Sequence, residues 1–147
     1  NASRATEELT VALKEQIDQG LIEVEQRDGK VFVTVGSGGA FPSGTADLTG
    51  EAQRIMDRIA LTAMSPDSSI TVTGHTDDVP ISNGQFRDNW DLGAGRAASV
   101  VQAIQSTGLI SGDRLSAVSK GEMAPLADNN TAAGREQNRR IEIEISY

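Results

Sequence analysis

The sequence predicts an α/β (α+β) sandwich, in which helices cover one face of a mixed sheet. Two observations favour this fold class. Short runs rich in β-branched residues alternate with two long helical patterns, and the chain closes on a strict alternation of isoleucine and glutamate over residues 141–145. A chain of 147 residues suits a single domain with a proper apolar core.

An N-terminal helix is predicted over residues 1–20. Leu9, Leu13 and Ile17 recur at a spacing of four, with charged residues between them, and Gly20 is a natural stop. The apolar stripe is narrow. We therefore expect this segment either to pack on a partner helix or to be the end of a linker that continues upstream.

Two strands joined by a tight turn are expected next. The runs at residues 21–25 and 31–35 flank Asp28-Gly29, and Asp-Gly between two β-rich runs predicts a hairpin. The glycine-rich stretch that follows, residues 36–44, is predicted to be a loop.

The middle of the chain predicts a helix followed by a strand. Residues 47–64 place Ile55, Ile59 and Ala63 on one helical face. Residues 70–73 then alternate as a strand. A polar loop is expected between this strand and the next helix.

The second long helix has the clearest pattern. Asp88 or Asn89 can cap it, and Gly108 is its expected end. Its apolar stripe consists of Ala97, Val100, Val101 and Ile104. The remaining predicted elements are a strand at residues 114–119, a polar loop at 121–134 and the closing strand at 141–145.

The composition excludes several classes of function. Thirteen basic and 21 acidic residues give a net charge of −8, which argues against nucleic acid and against anionic lipid surfaces as ligands. The chain has no cysteine, and its few aromatic residues would make a sugar-stacking groove hard to build. It opens with Asn1 and has neither a signal peptide nor an apolar run near the ~18 residues that span a bilayer. We expect it to be part of a longer protein.

Catalytic motifs do not occur in this sequence. The loop at residues 36–44 lacks the Gly-Lys-Ser/Thr of a phosphate-binding loop, and no Gly-x-Ser-x-Gly elbow is present. His75, Asp77 and Asp78 are thin for a catalytic zinc site, which usually has about three protein ligands, several of them histidine. We therefore predict no enzyme, no catalytic residue, no metal and no cofactor. A metal-dependent hydrolase built on these three residues stays open as a hypothesis of another class.

Arg96 has an unusual position on the second long helix. It lies about 40° around the helix axis from Val100, on the flank of the buried stripe. Because the helix dipole there mildly disfavours a cation, we expect an anionic partner, and Asp77 is the candidate within the chain. The two would form an ordinary ion pair worth about 1 kcal/mol or less. The alternative is a split site, in which Asp77 holds an ammonium group and Arg96 binds a carboxylate with two parallel hydrogen bonds.

Four separated sequence blocks point to a known family. They are Phe41-x-x-Gly44-x-Ala46-x-Leu48, Thr76-Asp77, Asn89-x-x-Leu92-x-x-x-Arg96-Ala97 and Asn138-Arg139-Arg140-x-Glu142-Ile143. In this order they resemble the signature of the OmpA-like peptidoglycan-binding domain. The resemblance covers about residues 30–147.

The resemblance implies a βαβαβ core, with helices on one face of a mixed sheet, in a domain over residues 21–147. It also implies a ligand, the diaminopimelate residue of the peptidoglycan stem peptide. Asp77 would bind the side-chain ammonium group, and Arg96 would bind the neighbouring carboxylate. The other residues that would line the same pocket are Thr76, Asn89, Leu92 and Arg139.

A closer resemblance concerns residues 78–92. The insert Asp78-Val79-Pro80-Ile81-Ser82-Asn83 and the later Asp88-Asn89-Trp90-Asp91-Leu92 are similar to B subunits of flagellar motor stators, above all the sodium-driven, PomB-type members. This implies the periplasmic domain of a single-pass inner-membrane protein that serves cell motility and chemotaxis. The implied partners are peptidoglycan, a second copy in a homodimer, the stator A subunit through a transmembrane part, and periplasmic motor-ring proteins, but not nucleic acid.

A dimerisation or docking module with an idle pocket is the alternative function. Its support is the amphipathic N-terminal helix and the final strand at residues 141–145, which we expect to be exposed. This alternative predicts a concentration-dependent dimer that does not depend on Asp77 or Arg96.

Overall fold

The computed structural model describes residues 1–147 and contains one five-stranded sheet of order β1-β2-β5-β3-β4. The strands are β1 (Ile22–Arg27), β2 (Lys30–Gly36), β3 (Ser69–His75), β4 (Leu115–Gly121) and β5 (Arg140–Ser146). The helices are α1 (Ala2–Ala12), α2 (Lys14–Asp18), α3 (Ser37–Ala40), α4 (Gly50–Thr62), α5 (Asn89–Ser106) and α6 (Ala132–Asn138), with a 3₁₀ turn at Gly112–Arg114. No helix combines the length and the apolar character that crossing a membrane would require.

The sheet is mixed, as the sequence predicted. Strands β3 and β4 run parallel, whereas the other neighbours, including the β1–β2 hairpin, are antiparallel. Asp28 and Gly29 form the hairpin turn with φ of 53° and 73°. Asp-Gly suits this turn because aspartate tolerates the left-handed region and glycine adopts it freely. The predicted hairpin is therefore confirmed.

Strand β5 forms the centre of the sheet, with β2 on one side and β3 on the other. Ile141, Ile143 and Ile145 are all at most 1% exposed, so the predicted alternation of buried isoleucines is confirmed. The expectation that this strand is exposed is wrong, because both of its edges are already hydrogen-bonded. It therefore offers no free edge to a docking partner, and the docking-module alternative loses that support.

One apolar core lies between the sheet and helices α1, α4 and α5. The helical stripes predicted from periodicity are buried in it, among them Ile59 of α4 and Val100 of α5. The N-terminal segment bends at Leu13 rather than forming one helix, and Leu9 and Leu13 join this same core. The segment therefore packs on its own domain. The division of the chain at residue 20 stays a prediction.

Two short helices overlap the segments predicted to be loops. Helix α3 occupies the glycine-rich stretch, and α6 begins within the predicted loop at residues 121–134. Helix α6 has no apolar stripe, since its buried residues are Gly134 and Asn138. Its start is instead set by Thr131, whose hydroxyl oxygen accepts a hydrogen bond from the Gly134 N–H at 2.9 Å. Hydrophobic periodicity therefore could not reveal it.

Candidate functional site

A cavity of about 490 Å³ opens where β3 ends and α5 begins. It brings together all six residues that the sequence predicted for a binding pocket: Thr76, Asp77, Asn89, Leu92, Arg96 and Arg139. The other lining residues are Ser37, Gly38, Phe41, Ser43, Gly44, Val79, Pro80, Ile81 and Arg135. Whether the six contact a ligand stays a prediction.

Asp77 is the only acidic residue in the cavity wall. Its Oδ1 accepts a hydrogen bond from the Val79 N–H at 3.1 Å, and its Oδ2 pairs with Arg139 Nη1 at 2.7 Å. No ion pair joins Asp77 to Arg96, so the expected pairing between these two is wrong. Arg139, 62 residues along the chain, takes that place.

Arg96 is a buried cation whose outer nitrogens remain unpaired. Its Nε donates to the Thr45 carbonyl oxygen at 2.8 Å, its guanidinium lies 4.9 Å from the centre of the Phe41 ring, and the residue is only 5% exposed. Burial lowers the pKa of Arg96, and so does nearby Arg139, while Asp77 opposes both effects. Nη1 and Nη2 have no partner in the protein and can bind both oxygens of one carboxylate.

Asn89 and Thr76 shape the cavity through the backbone. Asn89 Nδ2 donates to the carbonyl oxygens of Asp77 at 3.3 Å and Val79 at 3.1 Å. The Thr76 N–H donates to the Gly121 carbonyl oxygen, and the Thr76 hydroxyl donates to that of Asp77, both at 2.8 Å. These two side chains therefore hold the loop that presents the Asp77 carboxylate.

The charge in the cavity is opposite to that of the whole chain. Arg96, Arg135 and Arg139 face Asp77, and three arginines against one aspartate give a local charge of +2. The chain as a whole carries −8. Such a cavity attracts an anionic group that the overall composition alone would not suggest.

Arg135 is the one charged residue of the cavity wall that the sequence prediction missed. Its Nη1 donates to the Asn129 carbonyl oxygen at 2.9 Å, and it has no acidic partner within the chain. The signal that could have revealed it is its position four residues before Arg139, which places both on one helical face.

His75 lies beneath the site at the end of β3. Its ring nitrogen Nδ1 is buried without a hydrogen-bond partner. Burial, with smaller contributions from Arg140 and Lys120, lowers the pKa of His75 to about 4. No group of three or more histidine, aspartate or glutamate side chains is placed to hold a metal ion. The hydrolase hypothesis based on His75, Asp77 and Asp78 therefore has no ligand set.

Acidification is expected to destabilise the domain through His75. Because its pKa falls from 6.5 to about 4 on folding, the unfolded state binds more protons between these values. The stability from this group is thus complete above about pH 6.5 and falls as the pH drops towards 4. Urea unfolding measures the free energy of unfolding at about pH 7 and about pH 5. Between these two pH values, the wild type should lose about 1–2 kcal/mol more of it than a His75→Gln variant. Equal losses would contradict this assignment.

Asn138 organises the loop beside the cavity from a fully buried position. Its Oδ1 accepts hydrogen bonds from the N–H groups of Leu126 at 2.7 Å and Ala127 at 2.9 Å. Its Nδ2 donates to the Ala127 carbonyl oxygen at 2.9 Å and to Asn129 Oδ1 at 2.8 Å. Because Asn129 in turn accepts from Arg135, this network also positions a cavity arginine.

Replacing Asn138 with alanine is expected to lower the free energy of unfolding by about 2 kcal/mol, because backbone donors lose their partner in a buried place. Chemical denaturation measures the change. Asn130→Ala is the matched control, since the Asn130 side chain is exposed and makes no hydrogen bond. If both variants were equally stable, the Asn138 network would not be a stabilising feature.

The chain is similar to several known proteins. Motility protein B of Bacillus subtilis (strain 168) is 32% identical over 125 residues, which cover 84% of this chain and 48% of the relative. The solved cell wall anchor of the T6SS from Pseudomonas aeruginosa is 31% identical, with a TM-score of 0.86 and coverage of 94% of this chain and 96% of that one. The periplasmic domain of Helicobacter pylori MotB is 27% identical, with a TM-score of 0.76 and coverage of 85% and 81%.

The chain spans about half the length of the curated motility protein that it matches. The names of these relatives describe a motility protein and a wall anchor, not enzymes. The OmpA family matches residues 40–139, which include most of the cavity wall and all six predicted pocket residues. With the same mixed sheet as the periplasmic domain of MotB, this chain belongs to the OmpA family.

Proposed function

We propose that this domain binds peptidoglycan without catalysis and so anchors a larger protein to the cell wall. The ligand is the zwitterionic head group of diaminopimelate in the stem peptide. Asp77 accepts hydrogen bonds from its ammonium group, and Arg96 donates hydrogen bonds to its carboxylate through Nη1 and Nη2. The observation that best supports this is that Arg96 is buried in the cavity wall while its outer nitrogens have no protein partner.

The ion pair between Asp77 and Arg139 is compatible with this ligand. A carboxylate offers about four lone-pair positions, and the protein uses one on each oxygen, for Val79 and for Arg139. The ligand ammonium group can therefore donate hydrogen bonds to the remaining lone pairs of the Asp77 carboxylate without displacing either donor. Leu92, 7% exposed, contributes an apolar surface for the methylene chain of diaminopimelate.

The similarity to motility protein B favours a stator as the anchored machine. In this proposal the domain lies in the periplasm and belongs to a single-pass inner-membrane B subunit of a sodium-driven flagellar stator. A homodimer would present two cavities to the wall. The second binding event would then be intramolecular, which slows release without any new contact. The A subunit and periplasmic ring proteins would contact other parts of that assembly.

A type VI secretion system (T6SS) is the second candidate for the anchored machine. The T6SS wall anchor and this chain cover 96% and 94% of each other at 31% identity. Deleting the gene in its host separates the two candidates. Loss of swimming with normal secretion supports the stator, whereas loss of secretion with normal swimming supports the secretion system.

Sedimentation with purified sacculi tests wall binding. The wild-type domain should pellet with sacculi, and an Asp77→Ala/Arg96→Ala variant should stay in solution. Arg58→Gln removes one exposed arginine from α4, has no ion pair to break, and should pellet like the wild type. Equally poor sedimentation of wild type and double variant would contradict the proposal. A concentration-dependent dimer that the double variant retains would then favour the docking module.

A further inference from the structure

We propose that the cavity contains a second anion subsite, built by Arg135 with Ser37, that binds another carboxylate of the same peptide. This inference rests on the proposed function, because it concerns what lies next to the diaminopimelate head group. The ligand class is a peptide with a second free carboxylate beside its zwitterionic group.

Backbone hydrogen bonds bring the subsite residues together. The Ser37 N–H donates to the Arg139 carbonyl oxygen at 2.9 Å, and the Arg139 N–H donates to that of Arg135 at 3.1 Å. All three residues line the cavity. Ser37 is 2% exposed, and its hydroxyl has no hydrogen-bond partner in the protein. A buried hydroxyl without a partner is costly unless a ligand supplies one.

The positive charge of the cavity also favours binding of a second anionic group. A zwitterionic head group is neutral overall and therefore leaves the local charge of +2 unchanged. Arg139 already shares the Asp77 carboxylate, whereas Arg135 has no acidic partner. Like charges four residues apart on a helical face repel each other, and an anion held near Arg135 would relieve that repulsion.

Arg135 is also oriented before any ligand binds. Its Nη1 is tied to the Asn129 carbonyl oxygen, and Asn129 is itself held by Asn138. Less side-chain freedom is therefore lost when the other nitrogens bind a carboxylate. The cavity of about 490 Å³ falls within the range of sites for drug-sized ligands, so it has room for more than one amino-acid head group.

Two carboxylates of a stem tripeptide could occupy this subsite. In L-alanyl-γ-D-glutamyl-diaminopimelate, one is the α-carboxylate of the glutamate, and the other is the C-terminal carboxylate at the peptide-linked centre of diaminopimelate. Four synthetic tripeptides distinguish them: both groups free, either one amidated, or both amidated. Calorimetric titration of each against wild type, Arg135→Gln and the control Arg58→Gln gives the affinities.

We expect one of the two amidations to weaken wild-type binding about tenfold, as the loss of a charge-assisted hydrogen bond would. Arg135→Gln should bind the free tripeptide about tenfold more weakly and should no longer distinguish it from that amide. Ser37→Ala should show a smaller loss with the same selectivity. Arg58→Gln should match the wild type with all four peptides.

The outcomes separate this inference from the proposed function. If no tripeptide binds the wild type, the diaminopimelate site itself is refuted. If the tripeptides bind but neither amidation matters, the second subsite is refuted. If Arg135→Gln weakens all four peptides equally, Arg135 only supports the loop and the second subsite is again refuted.

Discussion

Replacing Gly74 with alanine is expected to lower the free energy of unfolding by at least about 3 kcal/mol. A Cβ at this position would overlap the carbonyl oxygen of Gly93, because β3 and α5 pack backbone against backbone there. Gly93 is less constrained, since its own Cβ would lie 2.5 Å from Ser119 Oγ, a side-chain atom that can move. Relief of the first overlap requires the helix to move as a whole. Chemical denaturation measures the loss.

Gly84→Ala is the matched control for this substitution. Gly84 lies in the loop between β3 and α5, has no atom within 4 Å of an added Cβ, and does not adopt a positive φ. It should remain within about 0.5 kcal/mol of the wild type. If Gly74→Ala were as stable as Gly84→Ala, the close packing of β3 on α5 would be contradicted.

The close packing at Gly74 also determines the cavity geometry. Asp77 lies two residues after the end of β3, and Arg96 lies in α5 about one turn after Gly93. Moving α5 away from β3 would therefore change the separation of the two charged groups. We expect any Gly74→Ala protein that still folds to bind sacculi more weakly than the Gly84→Ala control.

The sequence predicted the parts of the fold in which apolar periodicity and burial coincide. Ile141 and its alternating neighbours are buried because every second strand residue faces the helices. Val100 and Ile104 are buried by the corresponding helical period. Helix α6 was missed because a capping threonine and the buried amide of Asn138 hold it in place of apolar contacts. Single polar contacts of this kind leave no periodic pattern in the sequence, so a search for apolar periodicity does not detect them.

The sequence predicted six of the residues that line the cavity, but it did not predict which charged side chains pair there. The family motif assembled six residues that share one cavity. However, Asp77 pairs with Arg139 because the end of α6 lies against the end of β3. This contact joins distant parts of the chain, so no local sequence pattern predicts it. Arg135 lies outside the motif blocks, so neither the motif nor the composition indicated it. Only its spacing of four residues from Arg139 was a sequence signal, and the three-dimensional arrangement of the arginines shows that it lines the cavity.

Replacing Arg96 with methionine is expected to abolish binding while leaving the fold intact. We expect affinity for sacculi to fall about 100-fold or more, since the paired hydrogen bonds to the ligand carboxylate are lost. Stability should change by about 1 kcal/mol or less. The reason is that Arg96 is buried without an acidic partner, and its removal relieves a desolvated charge while costing the contacts with Thr45 and Phe41.

Two further substitutions complete this test. Arg96→Lys keeps the charge without the planar pair of donors, so it should also bind at least about tenfold more weakly. Asp77→Asn should lose both binding and about 1 kcal/mol of stability, because it leaves Arg139 without its counter-ion. Sedimentation and denaturation of the three variants therefore separate the effects of the two charged residues of the site.

Two outcomes would contradict this assignment. If Arg96→Met unfolded the domain, Arg96 would be a structural residue. If Arg96→Met still bound sacculi, another residue would bind the ligand carboxylate. Neither outcome is expected, since an unpaired buried cation is maintained at the expense of stability only where a ligand completes it.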